Sequence, residues 1–159
     1  MDDTAGIYAR EVPAIGQPVQ VGVAQGRIIS VDFPASGVES AADVAGTPDH
    51  EYLDRIEAYL DGEREDFADV PVALTLPTDR RRVLEAVGEV PHGESATVEQ
   101  VRRMTAGLAD DEDGRETVRT ALRENPVPVL VPDHRITDAA GATPDDVATH
   151  CRRIEGIER

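Results

Sequence analysis

The sequence predicts an α+β protein in two parts, a small strand-rich N-terminal unit followed by a helical C-terminal unit. Three observations carry this reading. Short runs of β-branched residues fill the first 33 positions, apolar residues from position 52 onward recur at helical spacing, and the composition shifts between residues 62 and 78. We therefore place the domains at 1–72 and 76–159, each long enough to bury a modest core.

IYAREVPAI (7–15), PVQVGVA (18–24) and RIISVDF (27–33) read as strands, with Gln25-Gly26 as the tight turn of a hairpin. Residues 35–48 read as a loop. DHEYLDRIEAYLDG then puts Tyr52, Leu53, Ile56, Tyr59 and Leu60 on one helical face, capped by Asp49 and stopped by Gly62. In the second part, TDRRRVLEAVGEVPHG carries Val83, Leu84 and Val87 and is halted by Pro91 and Gly93. TVEQVRRMTAGL opens with a capping box from Thr97 to Gln100 and spaces Val98, Val101, Met104 and Leu108 as a helix would. After the acidic ADDEDG, a second capping box runs from Asp113 to Glu116. RETVRTALREN turns Val118, Ala121 and Leu122 inward. The final helix is capped by Thr143, begins with Pro144, carries Asp145 and Asp146 at its positive end, and has Val147, Cys151 and Ile154 inside. Cys151 reads as a small buried hydrophobe rather than a reactive thiol.

The formal charge is -16, from 32 acidic residues against 16 basic ones, and every basic residue is Arg. With 3% aromatics and no Trp, the composition is that of proteins working in molar salt. There the Debye length is roughly 3 Å, so net charge concerns hydration more than partners. The distribution is more telling: residues 1–75 hold 4 Arg and 15 acids, and residues 76–159 hold 12 Arg and 17 acids. If anything binds phosphate, it is the second part. One cysteine excludes an internal disulfide and a CxxC metal site, and there is neither a leader pattern nor a long apolar run. The expectation is a cytoplasmic monomer with no membrane segment, metal or cofactor.

Two short helices joined by a short loop, the second bearing Arg115, Arg119 and Arg123 on one face, suggest a helix-turn-helix. The alternative is a solvated face on which Glu116 and Glu124 pair with those arginines.

The segment Asn125-Pro126-Val127-Pro128-Val129-Leu130-Val131-Pro132-Asp133-His134-Arg135 resembles the O6-alkylguanine-DNA alkyltransferases, or methylated-DNA-protein-cysteine methyltransferases. Their motif is Asn-Pro-x-Pro-(Ile/Val)-x-(Ile/Val)-Pro-Cys-His-Arg, and the cysteine alone is changed. The likeness runs from Asp79 to Gly156, and the first part matches only in coarse order. It implies a ribonuclease H-like N-terminal α/β domain and a C-terminal winged helix-turn-helix that enters the minor groove and flips the lesion base.

By the same resemblance, Asp133 takes the nucleophile's place, and His134 with Glu155 takes the place of the relay that activates it. An ionised carboxylate, ordinary pKa near 3.9, is a far poorer attacker of an alkyl carbon than sulfur. Alkyltransferase-like members that lack the cysteine bind the lesion and mark it for excision repair. Thr97, Gly114, Arg115, Arg119 and Arg135 are the implied DNA contacts, and Asn125 ties the recognition helix to the loop. The family's arginine finger falls on Glu116 beside Arg115, and its phosphate-rotating tyrosine on Val98. Arg115, Thr117 and Arg119 replace small residues, and the segment beyond the motif is shortened to DAAGATPDD.

Three readings follow. The first is a sensor of O6-alkylguanine in duplex DNA that performs no transfer and hands on to excision-repair proteins. The second is an active or divergent methyltransferase, with Asp133 and His134 activating water or forming an ester, or with Cys151 as acceptor. The third is a relic scaffold for a protein partner.

Overall fold

The computed structural model describes residues 6–33, 51–65, 67 and 69–157, so Asp49 and the loop expected at 35–48 lie outside the described residues. The chain divides into two compact units, Met1–Ala73 and Leu74–Arg159. Among the described residues it is a mixed α/β fold of three strands and five α-helices.

In the first unit β1 (Gly6–Val12), β2 (Gln17–Ala24) and β3 (Arg27–Asp32) form an antiparallel sheet in the order β1-β2-β3. β1 ends at Val12, short of the expected Ile15. Pro13 has no N–H to donate, and the amides of Ile15 and Gly16 bond back to the Val12 carbonyl, so the chain reverses into β2. Ala24 pairs with Arg27 across Gln25 and Gly26, whose φ values of 54° and 77° are those of a type I′ turn. The outer edge of β3 is covered where Ile28 donates to the Pro71 carbonyl and accepts from the Ala73 amide. Helix α1 (Glu51–Leu60) buries Leu53, Ile56, Tyr59 and Leu60, as its spacing predicts. Arg10 on β1 holds α1 by Glu57 at 3.0 Å and Asp54 at 2.8 Å.

In the second unit α2 (Thr78–Val87), α3 (Val98–Met104) and α4 (Glu112–Arg123) enclose Val83, Leu84, Val87, Val98, Val101, Val118, Ala121 and Leu122. The Thr97–Gln100 capping box is present. α3 stops at Met104, which is 45% exposed, so neither Met104 nor Leu108 continues the apolar stripe. The cap of α4 is Asp111, whose carboxylate accepts from the Gly114 amide, and Asp113 lies inside the first turn. Helix α5 (Asp145–Glu155) begins after Pro144 without a side-chain cap, because the Thr143 hydroxyl donates to Asp133. Cys151 is fully buried on α5. No helix among the described residues is long and apolar enough to cross a membrane.

Gln25 holds a left-handed conformation that Asn adopts more readily. Replacing it, Gln25→Asn, is expected to stabilise the protein by about 0.5 kcal/mol, read as a higher urea midpoint. An unchanged or lower midpoint would count against the turn.

Candidate functional site

Sequence-predicted site residues fall into two places in the second unit, one buried and one exposed. The buried place begins where α4 ends. Asn125 receives the Val127 amide on its carbonyl and donates through Nδ2 to the Val131 carbonyl at 3.0 Å and Asp133 Oδ2 at 2.9 Å. These bonds fold the proline-rich segment back on itself. Val129 inside it sits at φ 78°, a sparse conformation for a β-branched residue that the surrounding packing imposes. A 3₁₀ turn, Asp133–Arg135, follows.

Asp133 is 1% exposed. Its Oδ2 also accepts from the backbone amides of Ala142 (3.0 Å) and Thr143 (3.3 Å), and its Oδ1 from the Thr143 hydroxyl at 2.6 Å. Gly141 packs directly on it: a Cβ there would lie 2.3 Å from Asp133 Cγ. Burial pushes the carboxyl above its ordinary range, while the Thr143 and Asn125 donors and the adjacent His134 pull it down. The carboxylate read from the sequence with an ordinary pKa is thus a sequestered one. A cavity of about 30 Å³, lined by Asp133, His134, Gly141, Thr143 and Arg152 among others, has room for one water and not for a purine.

His134 and Glu155 meet as the resemblance implies, Nε2 to Oε2 at 2.9 Å, with both side chains fully buried. Arg135 grips the same carboxylate with Nε at 2.8 Å and Nη2 at 2.9 Å and donates through Nη1 to the Val90 carbonyl. The Gly93 amide adds a further donor to Glu155 Oε1 at 3.0 Å. Arg135 therefore lies inside the fold as counter-ion to Glu155 rather than on the surface where a DNA contact was expected. Its local sequence looks like any polar triplet; only burial separates a structural arginine from a DNA contact.

The exposed place is a continuous ladder of ion pairs along α3 and α4. Glu99 accepts from Arg102, Arg103 (3.2 Å) and Arg115 (3.3 Å). Glu112 accepts from Arg115 (3.1 Å) and Arg119 (2.7 Å), and Glu116 from Arg119 and Arg123 (both 3.1 Å). Asp110 extends it to Arg102, itself only 8% exposed. Glu124 pairs with Arg80 instead of the stripe. Glu99 and Glu112 were missed in the sequence, although their spacing of three and four to Arg102, Arg103 and Arg115 is the helical ion-pair signal. Gly114 does not face outward: a Cβ on it would lie 1.9 Å from the Ala109 carbonyl, so its smallness serves the close approach of the preceding loop. Thr97 is engaged in its capping box, and Val98, at the tyrosine's place, is buried.

Comparison with known proteins agrees with this second unit. Residues 78–155 match the family described as 6-O-methylguanine DNA methyltransferase, DNA binding domain. A methylated-DNA–protein-cysteine methyltransferase of Archaeoglobus fulgidus is 34% identical over 89 residues, 55% of this chain and 55% of that protein. A DNA base-flipping protein of Thermus thermophilus is 38% identical over 87 residues, 54% of this chain and 55% of its own. The chain thus spans about half the length of each of these two relatives. Mycobacterium tuberculosis OGT in complex with DNA shares the fold, with a TM-score of 0.72 at 19% identity over 94% of this chain and 91% of that one.

Two outcomes follow from this geometry. Glu155→Ala strands Arg135 and His134 in the interior and is expected to cost about 3–5 kcal/mol of stability by urea denaturation; Gly141→Ala, which drives a methyl into Asp133, about 1–3 kcal/mol. Near-neutral results would mean that neither cluster holds the fold. On the surface, Arg102 first and Arg115 after it lower Glu99 from 4.5 to about 2, against some desolvation. The pairing contribution is therefore complete above the ordinary value and lost as pH falls toward the depressed one. Carboxyl NMR titration should find Glu99 depressed in low salt and closer to ordinary in molar KCl; an ordinary value in both would dissolve the ladder.

Proposed function

We propose a function from the premise that this chain belongs, through residues 78–155, to the 6-O-methylguanine DNA methyltransferase DNA-binding-domain family: it is a DNA-binding repair protein that recognises O6-alkylguanine without accepting the alkyl group. The observation that carries this is the state of Asp133. At the place the resemblance gives to the nucleophile stands a carboxylate 1% exposed, with both oxygens held by Asn125, Ala142 and Thr143. Nucleophilic attack needs a lone pair directed at the alkyl carbon, and these are directed at donors. Cys151 is fully buried within α5 and offers no substitute acceptor.

In this reading α3 and α4 are a winged helix-turn-helix, in a domain at 76–159, with α4 laid against the duplex so that Arg115 and Arg119 meet phosphates. Residues 1–72 form the ribonuclease H-like domain. His134, Glu155 and Arg135 keep the pocket wall in shape, and Asn125 joins α4 to that wall. A flipped base enters only when residues 139–143 move away from Asp133, since the present cavity has room for one water. Base flipping in the Thermus relative's name supports this direction. The protein acts as a cytoplasmic monomer and passes the marked lesion to excision-repair proteins.

The complete pairing of the α4 arginines favours one rival, a scaffold that has lost DNA and binds a protein. Fluorescence anisotropy of matched duplexes, with and without one O6-methylguanine, separates the two. A lesion preference of about 1–3 kcal/mol, with no mass added to the protein, is the expected outcome. A methyl adduct on any residue would restore the transferase reading, and absence of binding at any salt would favour the scaffold.

A further inference from the structure

The face offered to DNA already carries the protein's own anions. Arg115 rests on Glu99 and Glu112, Arg119 on Glu112 and Glu116, and Arg123 on Glu116. A phosphate can take these guanidinium groups only by displacing carboxylates. Glu99 is not free to leave, because it also holds the nearly buried Arg102 through both carboxylate oxygens. Among the described residues Glu112 and Glu116 hold no buried arginine; their side chains are 66% and 53% exposed, and their partners are the stripe arginines and, for Glu116, the exposed Thr120 hydroxyl at 3.5 Å.

Resting on the DNA-binding reading above, we propose that α4 is an ion-exchange surface: duplex phosphates replace Glu112 and Glu116 as partners of Arg115, Arg119 and Arg123, and the freed carboxylates take up monovalent cations. Charge balances in this exchange. Three phosphates neutralised by arginine release roughly 2.7 condensed cations, so an ordinary basic surface would lose affinity with a log-log salt slope of about -2.7. Two carboxylates freed beside a polyanion recapture up to about two of those cations, which leaves a slope of about -1. Binding of this kind loses less affinity between low and molar salt than a cationic patch would. The Lys-free, acid-rich chain with net charge -16 is suited to that regime.

The test is anisotropy with a duplex carrying one O6-methylguanine, across KCl from about 0.1 to about 2 M, spanning Debye lengths of roughly 10 to under 3 Å. The wild type is compared with the double variant Glu112→Gln/Glu116→Gln, its fold verified by circular dichroism. The variant should bind more than tenfold tighter at the low-salt end, with a slope near -3 by the same counting, and converge on the wild type in molar salt. Should the double variant not fold, Glu116→Gln alone leaves the first turn of α4 intact and should give about half the change in slope. Equal, steep slopes for wild type and variant overturn the exchange while leaving DNA binding in place. No binding by either protein at any salt removes both readings together.

Discussion

Asp133 is the joint on which the polar interior of the second unit depends. Its carboxylate draws in the side chain of Asn125 at the exit of α4 and the backbone of Ala142 and Thr143 at the entry to α5. Burying a carboxylate is expensive unless donors surround it, and here both oxygens are occupied. The neighbouring Glu155 solves the same problem with charge, taking His134, the Nε and Nη2 groups of Arg135 and the Gly93 amide. Carboxylates two turns of logic apart thus tie loop, 3₁₀ turn and last helix into one wall.

These bonds give the motif residues a structural role in addition to any chemistry. Asn125 stands beside Asp133 as its donor, and His134 and Arg135 share Glu155, so Asn125 loses a bond if Asp133 leaves and His134 and Arg135 lose theirs if Glu155 leaves. Removing one member of such a set costs more than the set contributes, so the wall is kept as a unit. The surface obeys a different rule. Its ion pairs are exposed, individually weak and exchangeable, and high salt screens them at a distance while leaving contact pairing possible. Long-range steering of a charged partner is correspondingly small in high salt.

Much of the fold was legible because its signals are local. The Gln25-Gly26 turn, the apolar stripe of α1 and the Thr97–Gln100 capping box each depend on residues a few positions apart, and each is present. The misplacements share a different cause. Asp113 was read as a cap because it precedes Glu116 by three, yet Gly114 must pack on the Ala109 carbonyl, and that contact moves the start of α4 back to Asp111. Thr143 stands where a cap belongs, but Asp133 competes for its hydroxyl.

By itself the sequence determined the periodicities, the proline-bound motif and the aspartate at 133 where the resembled motif has cysteine. These are properties of composition and of neighbours along the chain. Tertiary structure alone decided where each charge goes: Arg135 inward to Glu155, Arg115 and Arg119 outward to the acids of α3 and α4, and Asp133 beneath Gly141. The reason is physical. A helix or turn is set by bonds between near residues, whereas the partner of an ionised group is whichever opposite charge or donor folding brings within about 3 Å, and only the folded chain specifies that distance.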